Sequence, residues 1–239
     1  VLRVTETKEA DKILTVLTPD MGKIPLIARG ARRKNSRIAA ASQLLAYSEL
    51  TLYKRGNWYM LDEASTLELF DGVRQDIVLL SLASYFAEAA EAVCAEETTS
   101  PEILSLLLNA LYALCYLHKE PRLVKAAFQF RLMALAGFEP LASGCAVCGR
   151  EEPEAPMLDV VHGVVHCGGC KRQGGLSMPL TAAGLAALRH VLYCDSRRLY
   201  GFTLEPEALR ELDHAGEAFI AGQLERSFRT LDYYKSLLI

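Results

Sequence analysis

Four cysteines constrain the fold of this chain more than any other feature of its sequence. They form two CxxC pairs, Cys145 with Cys148 and Cys167 with Cys170, and eighteen residues separate the two pairs. Two intervening residues let both thiolates of a pair face one ion, and two such pairs joined by a hairpin complete a tetrahedron of sulfur ligands. The spacing therefore predicts one structural zinc ion per chain, because four thiolates leave no coordination position open.

The residues between the two pairs favour this metal site over unrelated core cysteines or a redox dithiol. The stretch MLDVVHGVVHC predicts a hairpin with its turn near His162 and Gly163, which would bring the second pair back beside the first. His162 or His166 could replace a thiolate, but we expect both to be solvent-facing hairpin residues. The other cysteines lie at apolar helical positions and are expected to be small core residues: Cys94, Cys115 and Cys194.

Charge is distributed unevenly along the chain. Residues 1–60 carry eleven Lys or Arg against five acids, a balance of +6, whereas the remaining residues carry a balance of −9. Residues 23–37, here called the basic stretch, hold six cations and no acid. Long cations in a loop between strands can follow a phosphate backbone without being buried, so the stretch favours a polyanionic ligand such as nucleic acid. The candidate contacts are Lys23, Arg29, Arg32, Arg33, Lys34 and Arg37.

Aromatic residues follow the basic stretch in the sequence LLAYSELTLYKRGNWYM. In the strands of a small barrel, some of them would point outward and stack on bases, and we select Tyr53 and Trp58 as further candidate contacts. A solvated charged loop, together with aromatic side chains that fill the barrel, would account for the same residues without any ligand. The residues alone leave both interpretations open.

The pattern of apolar residues changes near residue 72. Up to that point, five short runs with β-type character are separated by turn residues, which predicts a small closed sheet. Helical spacing follows, with helices predicted over 73–95, 101–118, 121–137, 181–193 and from 206 to the C-terminus. The predicted architecture is a multidomain α+β fold. Its parts are a β domain at 1–72, a helical domain at 73–239 and a cysteine-rich insert at 141–176.

Several classes of protein are disfavoured by the sequence. No apolar run reaches the roughly 18 residues that a membrane helix needs, and the opening residues lack the apolar core of a signal peptide. An odd number of cysteines, seven, without an export signal indicates a reducing compartment, and we expect the cytoplasm. The chain has no GxxxxGK[ST], GxSxG or HExxH motif and its five histidines are scattered, so we expect no enzymatic activity.

Stretches along nearly the whole chain resemble the bacterial recombination mediator and DNA repair family RecO. The stretch LTPDMGKIPLIARGARRKNSR is similar to the family's N-terminal signature, and LASYFAEAAEAV and LLLNALYAL are similar to its first helices. VKAAFQFRLMALAGFEPLASGCAVCG resembles the family's passage from helical core into zinc module. The resemblance implies an N-terminal OB-fold barrel, a mainly α-helical domain and a zinc finger inserted in that domain.

The resemblance also implies a function. It implies binding of single- and double-stranded DNA, annealing of complementary strands, and work with RecR and single-stranded DNA-binding protein so that RecA can load, in a nucleoid-associated cytoplasmic protein. It carries the DNA contacts over to the six cations of the basic stretch, and the metal ligands over to the four paired cysteines. Because the chain begins inside the first strand of the family's barrel, we expect a few barrel residues to precede it.

Two other functions stay open from the residues alone. The chain could be a zinc-ribbon scaffold that binds protein, with an incidental basic stretch, or an RNA-binding OB-fold protein. The resemblance places a docking surface for RecR or single-stranded DNA-binding protein on the acidic helical half. Cations on the third predicted helix are candidates for that surface, although solvated side chains would look the same: Arg122, Lys125 and Arg131.

Overall fold

All five predicted N-terminal strands are present in the computed structural model, which describes residues 1–170 and 174–238. The strands are β1 (Arg3–Thr7), β2 (Asp11–Thr18), β3 (Gly22–Ala28), β4 (Tyr47–Arg55) and β5 (Trp58–Glu68). They form one sheet in the order β1-β2-β3-β5-β4. The β3 and β5 strands run parallel, and the other neighbours run antiparallel.

The interior of this sheet follows from the alternation in the sequence. In β3, residues Gly22 to Ala28 alternate strictly between buried and half-buried, as a strand with one face in the core requires. Leu14, Ile24, Leu26 and Leu61 are the centre of this apolar core. The N-terminal region is therefore OB-like, with the core between its curved strands.

The predicted closure of the sheet is wrong, because β1 and β4 do not pair with each other. The chain before β1 instead meets the residues just before β4. The Leu45 amide donates to the Val1 carbonyl at 2.9 Å, and the Val1 amine donates to the Ala46 carbonyl at 2.9 Å. Since these contacts precede β4, no ladder continues along that strand, and the sheet has two edges.

The single helix predicted over 73–95 is two helices, α1 (Asp71–Arg74) and α2 (Ile77–Val93). The break lies at Asp76, whose carboxylate accepts from the amides of Val78 at 2.8 Å and Leu79 at 3.1 Å. An N-cap of this kind starts a new helix with its own axis. The next helix, α3 (Pro101–Cys115), begins at the predicted proline.

The second half of the chain contains α4 (Pro121–Leu135), α5 (Ala182–Tyr193) and α6 (Pro206–Leu224) at their predicted positions. The last predicted helix does not reach the C-terminus, because Glu225 adopts a left-handed conformation with φ 49° and ends α6. A short connection follows, and a separate helix, α7 (Arg229–Ser236), packs on α2. The rings of Phe228 and Tyr85 meet edge to face at 5.4 Å in that packing.

The predicted cysteine-rich hairpin is confirmed as β6 (Pro156–Asp159) and β7 (Val164–Cys167). A third strand, β8 (Ser177–Pro179), was not predicted and pairs with the outer edge of β6. The sheet order is β7-β6-β8. Three residues are too few for a visible alternation, which is why the sequence pattern gave no signal for β8.

The chain forms two compact units, Val1–Leu117 with Phe228–Ile239, and His118–Ser227. The functional domains at 1–72 and 73–239, with the insert at 141–176, stay predictions. Residues 171–173 of the insert and residue 239 lie outside the described residues. In the part of the chain that is described, no helix has both the length and the apolar character that crossing a membrane requires.

Candidate metal centre and nucleic-acid interface

The four predicted cysteines come together at one point of the second unit. Their Sγ atoms all lie within 4.8 Å of one another, and the Sγ atoms of Cys148 and Cys167 are 3.9 Å apart. A tetrahedral ion with sulfur bonds of 2.3 Å would place its ligands about 3.8 Å apart. Cys145 and Cys148 lie in the loop before β6, Cys167 ends β7, and Cys170 lies in the turn after it. The cluster could therefore hold one metal ion.

Backbone geometry fixes the first cysteine pair as a tight knuckle. The amides of Cys148 and Cys167 point at the Cys145 sulfur, at 3.5 and 3.3 Å. The Gly149 amide closes the knuckle by donating to the Cys145 carbonyl at 2.9 Å. Gly149 has a backbone φ of 74°, which residues other than glycine rarely adopt. Gly149, the residue after the second cysteine of the pair, is therefore needed for the tight turn of the knuckle.

The ionisation of the cluster also favours a cation. Burial opposes ionisation of Cys145, but the amides of Cys148, Cys167 and Val147 together lower the pKa of its thiol to about 6. The pKa of the Cys170 thiol is raised to about 12, first by its hydrogen bond with Cys148 and then by burial. The protein therefore stabilises a first thiolate and opposes the last one, and a positive ion would allow all four to ionise.

Arg189 holds the first knuckle in place and was not found from the sequence. From α5, its guanidinium donates to the carbonyls of Ala142 at 2.8 Å, Ser143 at 3.1 Å and Glu151 at 2.6 Å. It also donates to the Glu152 carboxylate at 2.8 Å. One side chain thus binds both ends of the loop that carries Cys145 and Cys148. No local sequence signal connects a helix residue with a loop so far before it.

Neither histidine of the hairpin belongs to the group of possible metal ligands. His162 is exposed as expected, and its ring bonds with the Asp159 carboxylate. The expectation that His166 faces solvent is wrong, because its residue is only 6% exposed. Its ring contacts the Cys167 carbonyl and the Ser177 hydroxyl, both at 2.8 Å. The unpredicted strand β8 supplies Ser177, and so β8 covers this histidine.

The basic stretch is divided between two places. Arg29 to Arg37, here called the basic loop, follow β3 and lie in a series of turns. Lys23 lies on β3 itself, half-buried, and its ammonium donates to the Glu91 carbonyl of α2 at 2.9 Å. Five strand residues lie between Lys23 and Arg29, so the two are six steps apart, about 20 Å at the usual rise. Lys23 therefore stands apart from the other five cations.

The backbone of the basic loop is anchored to the sheet, while its charged side chains point outward. The Gly30 amide donates to the Asp11 carboxylate at 2.8 Å, and the Arg32 amide donates to the Ala10 carbonyl at 3.0 Å. Ala31 and Ile38 are buried in the sheet's core. A loop fixed in this way presents its cations without first having to be ordered by a ligand.

Four cations of the basic loop are exposed and make no ion pair with any described residue: Arg29, Arg33, Lys34 and Arg37. Arg32 is the fifth, and it pairs with Glu6 at 3.0 Å; the two side chains are 37% and 63% exposed. An ion pair this exposed is weak and can exchange for a phosphate. The loop can therefore present up to five positive charges to a polyanion.

The selected aromatic residues lie at the turn between β4 and β5. Tyr53 is 44% exposed and Trp58 is 46% exposed. Tyr59, by contrast, packs against the core, and the Lys54 ammonium lies 5.5 Å from the centre of its ring. The interpretation that these aromatics simply fill the barrel therefore holds for Tyr59 and fails for Tyr53 and Trp58.

Comparisons with known proteins cover both halves of the chain. Residues 1–70 match the family model described as "Recombination protein O N terminal" and residues 74–232 match "Recombination protein O C terminal". Proteins named "DNA repair protein RecO" are similar over 99% of this chain. Those of Acetivibrio thermocellus, Symbiobacterium thermophilum and Heliobacterium modesticaldum are 28%, 30% and 32% identical, and the matches cover 94%, 95% and 88% of those proteins.

Proposed function

We propose, on the premise that this chain belongs to the recombination protein O (RecO) family, that it binds DNA through the basic loop and pairs complementary strands. Membership gives the chain a role in DNA repair and recombination. Binding, annealing and the partners of these steps are our proposal for how this chain performs that role.

One observation supports the proposal most directly, namely the four exposed and unpaired cations on an anchored loop. Two DNA strands repel each other through their phosphates. Cations that contact both strands lower this repulsion, and the release of counterions from each strand drives binding. The loop needs no bond chemistry to act in this way. Tyr53 and Trp58 would add stacking on bases, and Lys23 would contribute only after leaving its carbonyl partner.

We propose that the ion held by the four cysteines is zinc, with one ion per chain and a structural role. Four sulfur ligands in a tetrahedral arrangement suit zinc, and they leave no position for a substrate. Elemental analysis of the purified protein should find close to one zinc per chain. Protein with no metal and four freely titrating thiols, or with iron in place of zinc, would contradict this assignment.

We propose RecR and single-stranded DNA-binding protein as partners, with RecA loading as the outcome of their joint action. This part of the proposal is supported by family membership alone. Of the cations suggested for a docking surface, Arg122 is exposed, whereas Lys125 is buried and paired with Asp213 at 3.1 Å. Arg131 donates to the Leu192 carbonyl at 3.0 Å. Arg122 alone of the three is thus available to a partner.

DNA binding by the basic loop is tested in a salt titration that compares the double variant Arg33→Ala, Arg37→Ala with the intact protein. Each lost contact should reduce the slope of log K against log salt by about 0.7 for single strands, so we expect a change of about 1.4 and slower annealing of complementary oligonucleotides. The control is Arg197→Ala, Arg198→Ala, which removes the same charge from exposed positions of the second unit. Equal slopes for all three proteins would remove the basic loop from the mechanism.

An RNA competitor in the annealing assay separates the alternatives. Acceleration of DNA annealing that RNA does not suppress supports the proposed function. Preference for RNA would favour an RNA-binding OB-fold protein. Inactivity toward both nucleic acids would favour a scaffold that binds protein.

A further inference from the structure

The turn between β4 and β5 carries a second set of cations that the charge pattern did not single out. Residues 53–59, here called the hairpin tip, include the exposed Lys54 and Arg55 between Tyr53 and Trp58. No acid occurs from residue 50 to residue 61. The two-residue turn at Gly56 and Asn57 has φ 62° at the glycine, and a Cβ there would meet open space. The hairpin tip is therefore an accessible, purely cationic and aromatic projection.

Strand register places three of these side chains on one face. Arg55 lies directly across from Trp58, and Tyr53 lies across from Met60. Because residues that face each other across a ladder share a side, Tyr53, Arg55 and Trp58 lie on the same face. The neighbours Leu52 and Tyr59 lie on the opposite face, where they pack against the core. Met60 shares the face of Tyr53 and is buried, at 2% exposed, so this face is open to solvent at its end nearest the turn, where Tyr53, Arg55 and Trp58 are exposed.

The spacing on this outer face suits a flat ring. Tyr53 and Trp58 are diagonal neighbours across the ladder, and such positions are about 7–8 Å apart. A base stacked on an aromatic ring lies about 3.4 Å from it, the spacing of bases in DNA. Both side chains are exposed at about this spacing, so each can offer its ring to a base beside Arg55.

Neither aromatic ring of this face is used inside the protein. Within the described ranges, Tyr53 and Trp58 make no ring-to-ring contact, and they are 44% and 46% exposed. Exposed aromatic side chains that are fixed on a strand are typical of binding surfaces. Cations beside exposed rings suit an anion with planar groups, such as nucleic acid.

We propose that the outer face of the hairpin tip binds unpaired bases and releases them when the strands pair. The proposal rests on the proposed function and names what this face recognises, namely the single-stranded state of DNA. In a duplex, each base is stacked on its neighbours and its face is closed to a protein side chain, whereas its phosphates stay accessible. The basic loop therefore binds both states, and the hairpin tip distinguishes between them.

This division has a consequence for annealing. A protein that held the duplex as tightly as it held two single strands would stay on its product. If stacking contributes only to the single-stranded complex, pairing itself weakens the protein's hold, and the product leaves. The hairpin tip would thus favour release of the duplex once annealing is complete.

Tryptophan fluorescence measures binding at this face directly, because Trp58 is the only tryptophan of the chain. Stacking of a base on the indole should quench the fluorescence, so a single-stranded oligonucleotide should quench Trp58 and its preformed duplex should not. Addition of the complementary strand to the quenched complex should restore the emission as annealing proceeds. Equal quenching by single strand and duplex, or binding of single strand without quenching, would overturn the inference and leave the proposed function standing.

Variants test the same face without the fluorescence signal, through the anisotropy of labelled DNA. Trp58→Ala should weaken single-strand binding by about 5- to 150-fold, the usual value of one stacked base, and duplex binding by less than about twofold. Trp58→Phe should restore part of the loss because it keeps an aromatic face. The control is Tyr193→Ala, a residue that is 59% exposed in the second unit and should have no effect.

Two further outcomes complete the test. A parallel loss of single-strand and duplex affinity in Trp58→Ala would show that the hairpin tip does not read the state of the strands, and would overturn the inference alone. Absence of DNA binding by the intact protein would overturn the proposed function together with the inference.

Discussion

Two groups of cations are used in opposite ways: Lys125, Arg131 and Arg189 in the second unit, and the basic loop in the first. In the second unit, the ammonium of Lys125 lies between the carboxylates of Asp213 and Glu217, with the lysine side chain 2% exposed. Arg131 and Arg189 in the same unit donate to backbone carbonyls. In the first unit, Arg33 and Arg37 of the basic loop extend into solvent. The same residue types thus hold the fold together in one region and stay available for a ligand in the other.

The difference follows from the cost of removing a charge from water. A buried cation must recover its hydration energy from fixed partners, so it is satisfied internally and cannot bind anything else. An exposed cation pays no such cost, and its contact with a phosphate releases cations that were condensed on the nucleic acid. Net charge alone does not distinguish the two cases, whereas burial together with partner atoms does. Substitution of individual cations therefore separates those that stabilise the fold from those that are available to a ligand.

The largest effect is expected from Lys125→Met, a substitution that keeps an unbranched side chain one atom shorter than lysine and removes the charge. Two carboxylates would then remain buried without their cation, which typically costs about 3–5 kcal/mol of unfolding free energy. Burial already raises the pKa of Asp213 to about 6 despite the attraction of Lys125. Chemical denaturation at two pH values measures the loss.

The pH dependence of this variant has a definite sign. Without Lys125, protonation at low pH neutralises the orphaned carboxylates, so the loss should be larger at pH 8 than at pH 5, two values that bracket the pKa of about 6 given for Asp213. Arg122→Met is the matched control, since Arg122 is exposed on the same helix, and it should change stability by less than about 0.5 kcal/mol. Equal losses in the two variants would show that Lys125 is not a structural cation.

A smaller effect is expected from Arg189→Ala. The variant loses three hydrogen bonds to carbonyls and one to a carboxylate, which should cost about 2 kcal/mol and loosen the loop of Cys145 and Cys148. The bound metal, proposed above to be zinc, should then transfer to a chelator faster than from the intact protein, as followed by a colorimetric zinc indicator. Arg189→Lys should be intermediate, because an ammonium cannot reach all of these acceptors at once.

The control for Arg189 is Arg150→Ala in the same loop. Arg150 is exposed and pairs with Glu154, four residues later in the same loop. Loss of the Arg150 side chain should leave the rate of metal transfer unchanged. Faster transfer in Arg150→Ala than in Arg189→Ala would mean that the charge of the loop, and not the guanidinium clamp, retains the metal.

The sequence predicted the parts of this structure whose signals are local. The doubled CxxC spacing predicted the cluster because each pair lies within one turn of backbone, and the β-type runs between turn residues predicted the five strands. Asp76 before an apolar run is also a local signal for the start of a helix, although the predicted helix over 73–95 continued through it. Local patterns of this kind need no knowledge of the rest of the fold.

Features that depend on distant partners were missed. The open edge of the sheet depends on where Val1 meets Leu45, and the burial of His166 depends on Ser177 of β8. Lys125 has its partners on α6, and Lys23 has its partner on α2. A charge pattern records the type of each side chain and not the atoms that come to lie beside it. For this reason the sequence assigned all six cations of the basic stretch to one surface.

Arg32 gives the smallest expected effect and the sharpest test, because it belongs to the basic loop and yet has an acidic partner. Its pair with Glu6 is exposed on both sides, so a double-mutant cycle of Arg32→Ala and Glu6→Gln should give a coupling of only about 0.2–1 kcal/mol. High salt should remove most of that coupling by screening.

The same cycle in DNA binding should place Arg32 in one of the two groups. If Arg32 is available to phosphates, Glu6→Gln should strengthen DNA binding, because it frees the guanidinium and removes a negative charge beside the loop. Arg32→Ala should weaken DNA binding as much as loss of another loop cation does. A coupling that persists at high salt, with DNA affinity unchanged in Glu6→Gln, would instead place Arg32 with Lys125 as a structural cation. In that case, four charges of the basic loop remain for DNA, because an arginine whose guanidinium is held by a carboxylate neutralises no phosphate and so releases no cation from the DNA.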